Sequence, residues 1–168
     1  MNDTLKSILS RRSVRSFKDT LVSKDDVSLI VKAGIYAPTA CNRQPLFIIG
    51  IASEDKVKEV KDIIGGGKQF YKASAIIMVF KRNEDDFSEI DCGAAMENML
   101  LASHSLGLSS CWIHCVRDLY NDPKNNALLM KALGLKKSYS LMESIALGYI
   151  QGDEPLPKPR NMQGDNVI

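Results

Sequence analysis

Three groups of polar residues in this chain could do chemistry. The first is the run Arg11-Arg12-Ser13-Val14-Arg15. Closely spaced guanidiniums with a hydroxyl suit a phosphate, because the forked N–H donors of arginine match the acceptor oxygens of that anion. A solvated basic turn is the competing reading of the same residues. The second is the segment 37–45, which sets Thr39, Asn42 and Gln44 between Pro38 and Pro45. Primary amides carry paired donors and acceptors of the kind that read a heterocycle's edge. They equally bond their own backbone in turns. The third is Lys158-Pro159-Arg160, a second candidate phosphate clamp in a proline-stiffened tail.

Other chemistries are harder to place. Cys111, His114 and Cys115 invite a metal or redox reading, but C-x3-C is not the zinc-knuckle spacing and no second Cys/His pair follows within reach. A strand carrying small apolar thiols is the expectation, with no metal. Gly65-Gly66-Gly67-Lys68 is followed by Gln69 rather than Ser or Thr, and Asp62 stands where a P-loop needs its first glycine. No G-x-G-x-x-G follows a strand, which leaves a Rossmann dinucleotide site out. With two histidines and no nucleophile elbow, hydrolase machinery is not visible, and no catalytic residue is assigned. A formal charge of +2 is too balanced for a nucleic-acid groove. No apolar run approaches the ~20 residues of a membrane span, and the first twelve residues have no apolar core of a signal peptide. A cytoplasmic protein is expected.

These residues need elements to position them. Residues 4–11 read as a short amphipathic helix. Ser23 and Asp26 resemble a capping box ahead of Val27, Ile30, Val31 and Ile35 on one helical face, and Pro38 stops that helix. Residues 46–51 form an apolar run of strand length. Ser53 is expected to cap a helix that buries Val57, Val60, Ile63 and Ile64 and ends at the glycine run. Residues 75–80 read as a buried strand, 88–106 as a helix apolar nearly all round, 108–116 as a third strand, 122–133 as a proline-opened helix and 142–150 as a fourth strand. A helix apolar on all sides is buried on all sides, in the domain or at a subunit interface. The expectation is one α+β domain over residues 1–168, with about five helices around a buried sheet and an extended tail over 151–168.

The chain resembles the nitroreductase-like FMN-dependent family, in its short bacterial branch. The resemblance rests on four motifs in order: R-R-S-x-R-x-F at 11–17, P-[ST]-x-x-N-x-Q-P at 38–45, the central helix with its L-G-L exit at 93–108, and L-G-Y before the arginine-bearing tail at 147–160. It implies a mixed, mostly antiparallel sheet flanked by helices, in a homodimer with two flavins at the shared interface. It implies tightly but non-covalently held FMN whose phosphate meets Arg11, Arg12, Ser13 and Arg15, with Lys158 and Arg160 completing the clamp. Pro38, Thr39, Asn42 and Gln44 would line the ring and ribityl chain from the partner subunit, and Trp112, Ile113 and His114 would pass near flavin N5. Longer members tend to carry proline and an acidic residue in that last stretch, so this chain departs from them there. The implied activity is ping-pong reduction of nitroaromatics, quinones or a related small acceptor by NAD(P)H. Flavin performs the hydride chemistry, which agrees with the absence of a visible acid–base pair. A flavin-binding or redox-sensing module without turnover, and a structural metal protein, are the alternatives.

Overall fold

The run Ala75-Ile-Ile-Met-Val-Phe80 has no polar side, so a strand built from it needs cover on both faces. A computed structural model of the chain describes residues 1–82, 87–137 and 139–161 and meets that need with three layers. In chain order the elements are α1 (Asp3–Ser10), α2 (Lys24–Ile35), β1 (Leu46–Ile51), α3 (Glu54–Ile63), β2 (Ala75–Lys81), α4 (Ser88–Ser105), β3 (Ser109–Ile113), α5 (Arg117–Asn121), α6 (Pro123–Ala132) and β4 (Ser140–Gly148). Short 3-10 turns stand at Ala40–Asn42 and Lys68–Phe70. The strand order is β1-β2-β4-β3, antiparallel at every pairing. The parallel component among the described residues is the isolated bridge between Ser13 and Ser110 on the outer side of β3.

Strand alternation sorts the core. Ile76, Met78 and Phe80 face Val57 and Val60 of α3, Tyr120 of α5 and Leu129 of α6. Ile77 and Val79 face Val27 and Ile30 of α2 and Met96 and Met99 of α4. Each such side chain, once buried, contributes about 1.5–3 kcal/mol.

Local signals account for most helix boundaries. Ser23 caps α2 by accepting from the Asp26 N–H and donating its hydroxyl to the Asp26 carboxylate, and Asp122 caps α6 ahead of Pro123. Ser53 does stand at the start of α3, but its hydroxyl makes no capping bond there. The third strand is shorter than its apolar run implied. The chain turns at His114, whose carbonyl accepts from Arg117 N–H, and enters α5, an element absent from the sequence pattern. The fourth strand is displaced toward its start and runs to Gly148. The expectation that the helix over 88–106 is buried on all sides fails within one chain. Helix α4 packs on the sheet and α2, with α1 beside it, so Cys92, Ala95, Met96, Met99 and Leu100 are buried while Ile90 is 72% exposed.

Residues 11–18 reach the sheet through backbone bonds. Val14 N–H donates to Ser110 O, Lys18 N–H to Tyr149 O, and Gln151 N–H returns to Ser16 O. Val14 and Phe17 turn inward, which leaves Arg15 outward. Phe17 lies so close to Gly148 that a Cβ there would stand 2.9 Å from its Cδ1. Gly148→Val should overpack this contact, cost about 1–3 kcal/mol and shift the urea midpoint downward, whereas Gly93→Ala, at an open helical position, should not destabilise.

Candidate functional site

The arginine-rich segment sits over β3. Arg11 lies against α4, its Nε 3.6 Å from Glu97 Oε1, and that Nε is buried without a hydrogen-bond partner. Arg12 is partly engaged in closing α1, since its Nη1 donates to Leu9 O and Arg11 O. Ser13 is half-buried at the β3 bridge. Arg15 is exposed and has no hydrogen-bond or ion-pair partner among the described residues. Its charge is nevertheless close to the strand. Burial raises the pKa of the Cys111 thiol, and the Arg15 and Arg11 guanidiniums pull it back down. A half-paired cation and a free one, both beside β3, are suited to an anion with several acceptor oxygens. Lys158 and Arg160 lie in a tail exposed throughout its described length, and neither has a hydrogen-bond or ion-pair partner among the described residues.

The loop 38–45 is rigid for reasons that its sequence only partly announces. Cys41, Asn42 and Gln44 take φ of 52°, 54° and 52°, a region that costs non-glycine residues about 1–3 kcal/mol each. Several hydrogen bonds hold it, these side-chain bonds among them. Gln44 N–H donates to Thr39 Oγ1, Gln44 Nε2 donates to Asn42 Oδ1, and Ala40 N–H donates to Asp91 Oδ1 at 3.0 Å. Pro38, Asn42 and Gln44 are exposed, while Thr39 is half-buried. A cavity of ≈ 240 Å³ opens beside Thr39, Gln44 and Arg82. The loop leads into β1, at the opposite edge of the sheet from β3. Three strand spacings, about 14 Å, separate those edges, so one chain does not bring the loop to the arginines.

Trp112 and His114 flank Ile113. The Ile113 side chain is buried at 3% exposure and its carbonyl accepts from Ser144 Oγ. Its expected place beside a ring therefore does not extend to its side chain, because strand alternation sends Cys111 and Ile113 into the core. Trp112 and His114 remain accessible, and both hold Glu143 of β4: Trp112 Nε1 donates to Oε2 at 2.5 Å, and His114 Nδ1 lies 2.6 Å from Oε1. The Glu143 charge also reaches α4, where it adds to the burial that pushes the Cys92 thiol up to about 12.

Sequence reasoning missed Glu143, Asp91 and Glu97. A lone carboxylate inside the apolar run 141–150 was a signal for the first. Asp91 carried no signal, since its role depends on a loop fifty residues away in sequence.

The Nitroreductase family model matches residues 8–75 and 65–149. The chain belongs to the nitroreductase family. An Archaeoglobus fulgidus protein named "Putative NADH dehydrogenase/NAD(P)H nitroreductase" is 32% identical over 154 residues, 89% of this chain and 86% of that one. A Bacteroides fragilis nitroreductase solved with bound FMN superposes with a TM-score of 0.86 at 27% identity, covering 100% of this chain and 99% of the other. A Desulfitobacterium hafniense nitroreductase, also with bound FMN, gives 0.82 at 25%, covering 100% and 98%. Among the described residues of this nitroreductase-family chain, no helix is long and apolar enough to cross a membrane and no cluster of three metal-ligating side chains occurs.

Asp91 is the buried anchor of the strained loop, and its Oδ2 has no partner of its own. Asp91→Ala should remove the acceptor of Ala40 N–H, lower stability by about 1–3 kcal/mol and accelerate tryptic cleavage after exposed Arg43. Unchanged cleavage would show that the Asp91 bond does not hold the loop.

Proposed function

We propose that this protein is a cytoplasmic, FMN-dependent NAD(P)H oxidoreductase that reduces nitroaromatics, quinones or related small acceptors. The carrying observation is the cation pair at β3: among the described residues Arg15 has no hydrogen-bond or ion-pair partner and the buried Nε of Arg11 has no hydrogen-bond acceptor. These donors fit a phosphate, and the FMN bound by the two solved relatives carries one. Arg11, Ser13 and Arg15 hold it, Arg12 adds its remaining donors, and Lys158 and Arg160 close over it from the tail. Bound FMN supplies the two-electron transfer between NAD(P)H and acceptor. The protein's part is to bind and orient both reactants in one cleft, which gives ping-pong kinetics. Two exposed free thiols, Cys41 and Cys115, accord with a reducing compartment.

The site is completed by a second copy of the chain. Helix α1 buries none of its residues, and Leu5, Ile8 and Leu9 are 49%, 47% and 62% exposed. Apolar faces of that kind mark association surfaces. Pro38, Thr39, Asn42 and Gln44 reach the partner's ring from the far edge of the sheet, where the loop's strained backbone and internal bonds preset their positions.

The purified protein should be yellow. Arg15→Ala should remove a charge-assisted bond of roughly 1.5–3 kcal/mol and weaken FMN about tenfold or more, while riboflavin, which has no phosphate, should bind the wild type poorly and be nearly indifferent to the change. Equal losses for both ligands would sink the phosphate assignment.

Light scattering should report a dimer, and Leu9→Glu should shift it toward monomer with loss of FMN affinity. A wild-type monomer that retains FMN would refute the shared site.

A further inference from the structure

Glu143 stands next to an irregularity in β4. In the β2–β4 ladder Val79 faces Glu143 but Phe80 faces Leu141, so Met142 is an extra residue on β4. A bulge re-aims the side chains around it. Leu141 packs with Phe80 on the α3 side of the sheet. Glu143 lies level with Val79, and Trp112 is in register with Ile145; Val79 and Ile145 both belong to the α4-side core. Glu143 and Trp112 therefore share the α4 face, and the bulge sends Leu141, on its far side, into the opposite core.

Both oxygens of this carboxylate, whose side chain is 12% exposed, are occupied. The indole N–H can only donate, so Oε2 is an acceptor; Oε1, 2.6 Å from Nδ1, accepts the proton on that ring nitrogen. The geometry fixes one tautomer of His114, with Nδ1 protonated and Nε2 outward. The ring is 67% exposed and no described residue bonds Nε2. His114 stands four residues along the chain from Ser110, where the arginine segment is bridged, roughly 13 Å at strand rise. An extended ligand held by its phosphate at the first end spans such a distance.

We propose that His114, oriented by Glu143 and Trp112, is the proton donor to the electron acceptor. This rests on the oxidoreductase reading above. The net reaction with a quinone is quinone + NAD(P)H + H+ → hydroquinone + NAD(P)+. NAD(P)H gives up two electrons and one hydrogen as hydride, and the second hydrogen must arrive as a proton. The imidazolium Nε2–H bond breaks, its electron pair stays on Nε2, and an O–H bond forms on the quinone oxygen. Solvent reprotonates the exposed ring, and the Glu143 carboxylate balances the transient charge. Glu143 and Trp112 are positioning residues.

FMN-loaded wild type, His114→Ala and Glu143→Gln test this with tetramethyl-p-benzoquinone as acceptor. Anaerobic mixing of the wild type with NADH or NADPH probes the underlying reading alone. Bleaching of the flavin absorbance upholds that reading; no bleaching overturns it and the present inference with it. With bleaching intact, His114→Ala should slow quinone reduction at least tenfold, at the lower end of general acid–base effects, and added imidazole should restore much of the rate. Nitrogen-15 NMR should find neutral His114 in the wild type protonated at Nδ1. In Glu143→Gln a single carbonyl oxygen faces two donors, so the Nε2–H form should appear. A purely structural role for Glu143 would not move the tautomer. An Nε2–H wild type, a His114→Ala rate within twofold of wild type, or a loss that imidazole does not lift would each overturn the proposal.

Discussion

Residues Ala75 to Phe80 are all fully buried, and the rest of the architecture follows from covering that strand twice. One face takes α2 and α4, and the other takes α3, α5 and α6. With both faces closed by helices, a ligand has access only at the edges and ends of the strands. That is where the polar residues collect. The arginine segment bridges the outer side of β3, the strained loop precedes β1, and Trp112 and His114 close the far end of β3.

Edges also explain why polar groups here are incompletely paired. In an interior, a guanidinium nitrogen or carboxylate oxygen without a partner costs about 1–3 kcal/mol or more. This chain keeps Arg11 Nε and Asp91 Oδ2 in that condition. Arg15 faces outward with no partner among the described residues. These incompletely paired groups stand apart: Arg11 Nε lies near the exposed Arg15 by β3, whereas Asp91 sits at the start of α4 beside the loop that leads into β1. The apolar surface of α1 and the exposed tail have the same character. Together they support a site assembled from two copies, with cations from one and the preset loop from the other.

Much of the fold was legible in the sequence because its signals are local. A capping serine with Asp26, a proline after Asp122, a glycine run after Ile64 and apolar runs of strand length mark boundaries through interactions spanning four residues or fewer. The arginine cluster and the amide loop were legible for a similar reason: their residue types imply their chemistry. Ser53 shows the limit, since it holds the capping position without the capping bond. Helix α5 shows another, being too short to display a period.

The sequence by itself determined a buried sheet among helices, the family motifs and the residues suited to phosphate. Tertiary structure alone decided which of them act together. Asp91 holds Ala40 across a long stretch of chain, Glu97 meets Arg11, Glu143 meets Trp112 and His114 across the β3–β4 pair, and one extra residue on β4 separates the face of Glu143 from that of Leu141. Strand register is a two-residue alternation, so a single inserted residue inverts every side chain beyond it. No pattern of composition or periodicity records where the ladder slips, because the slip depends on the partner strand.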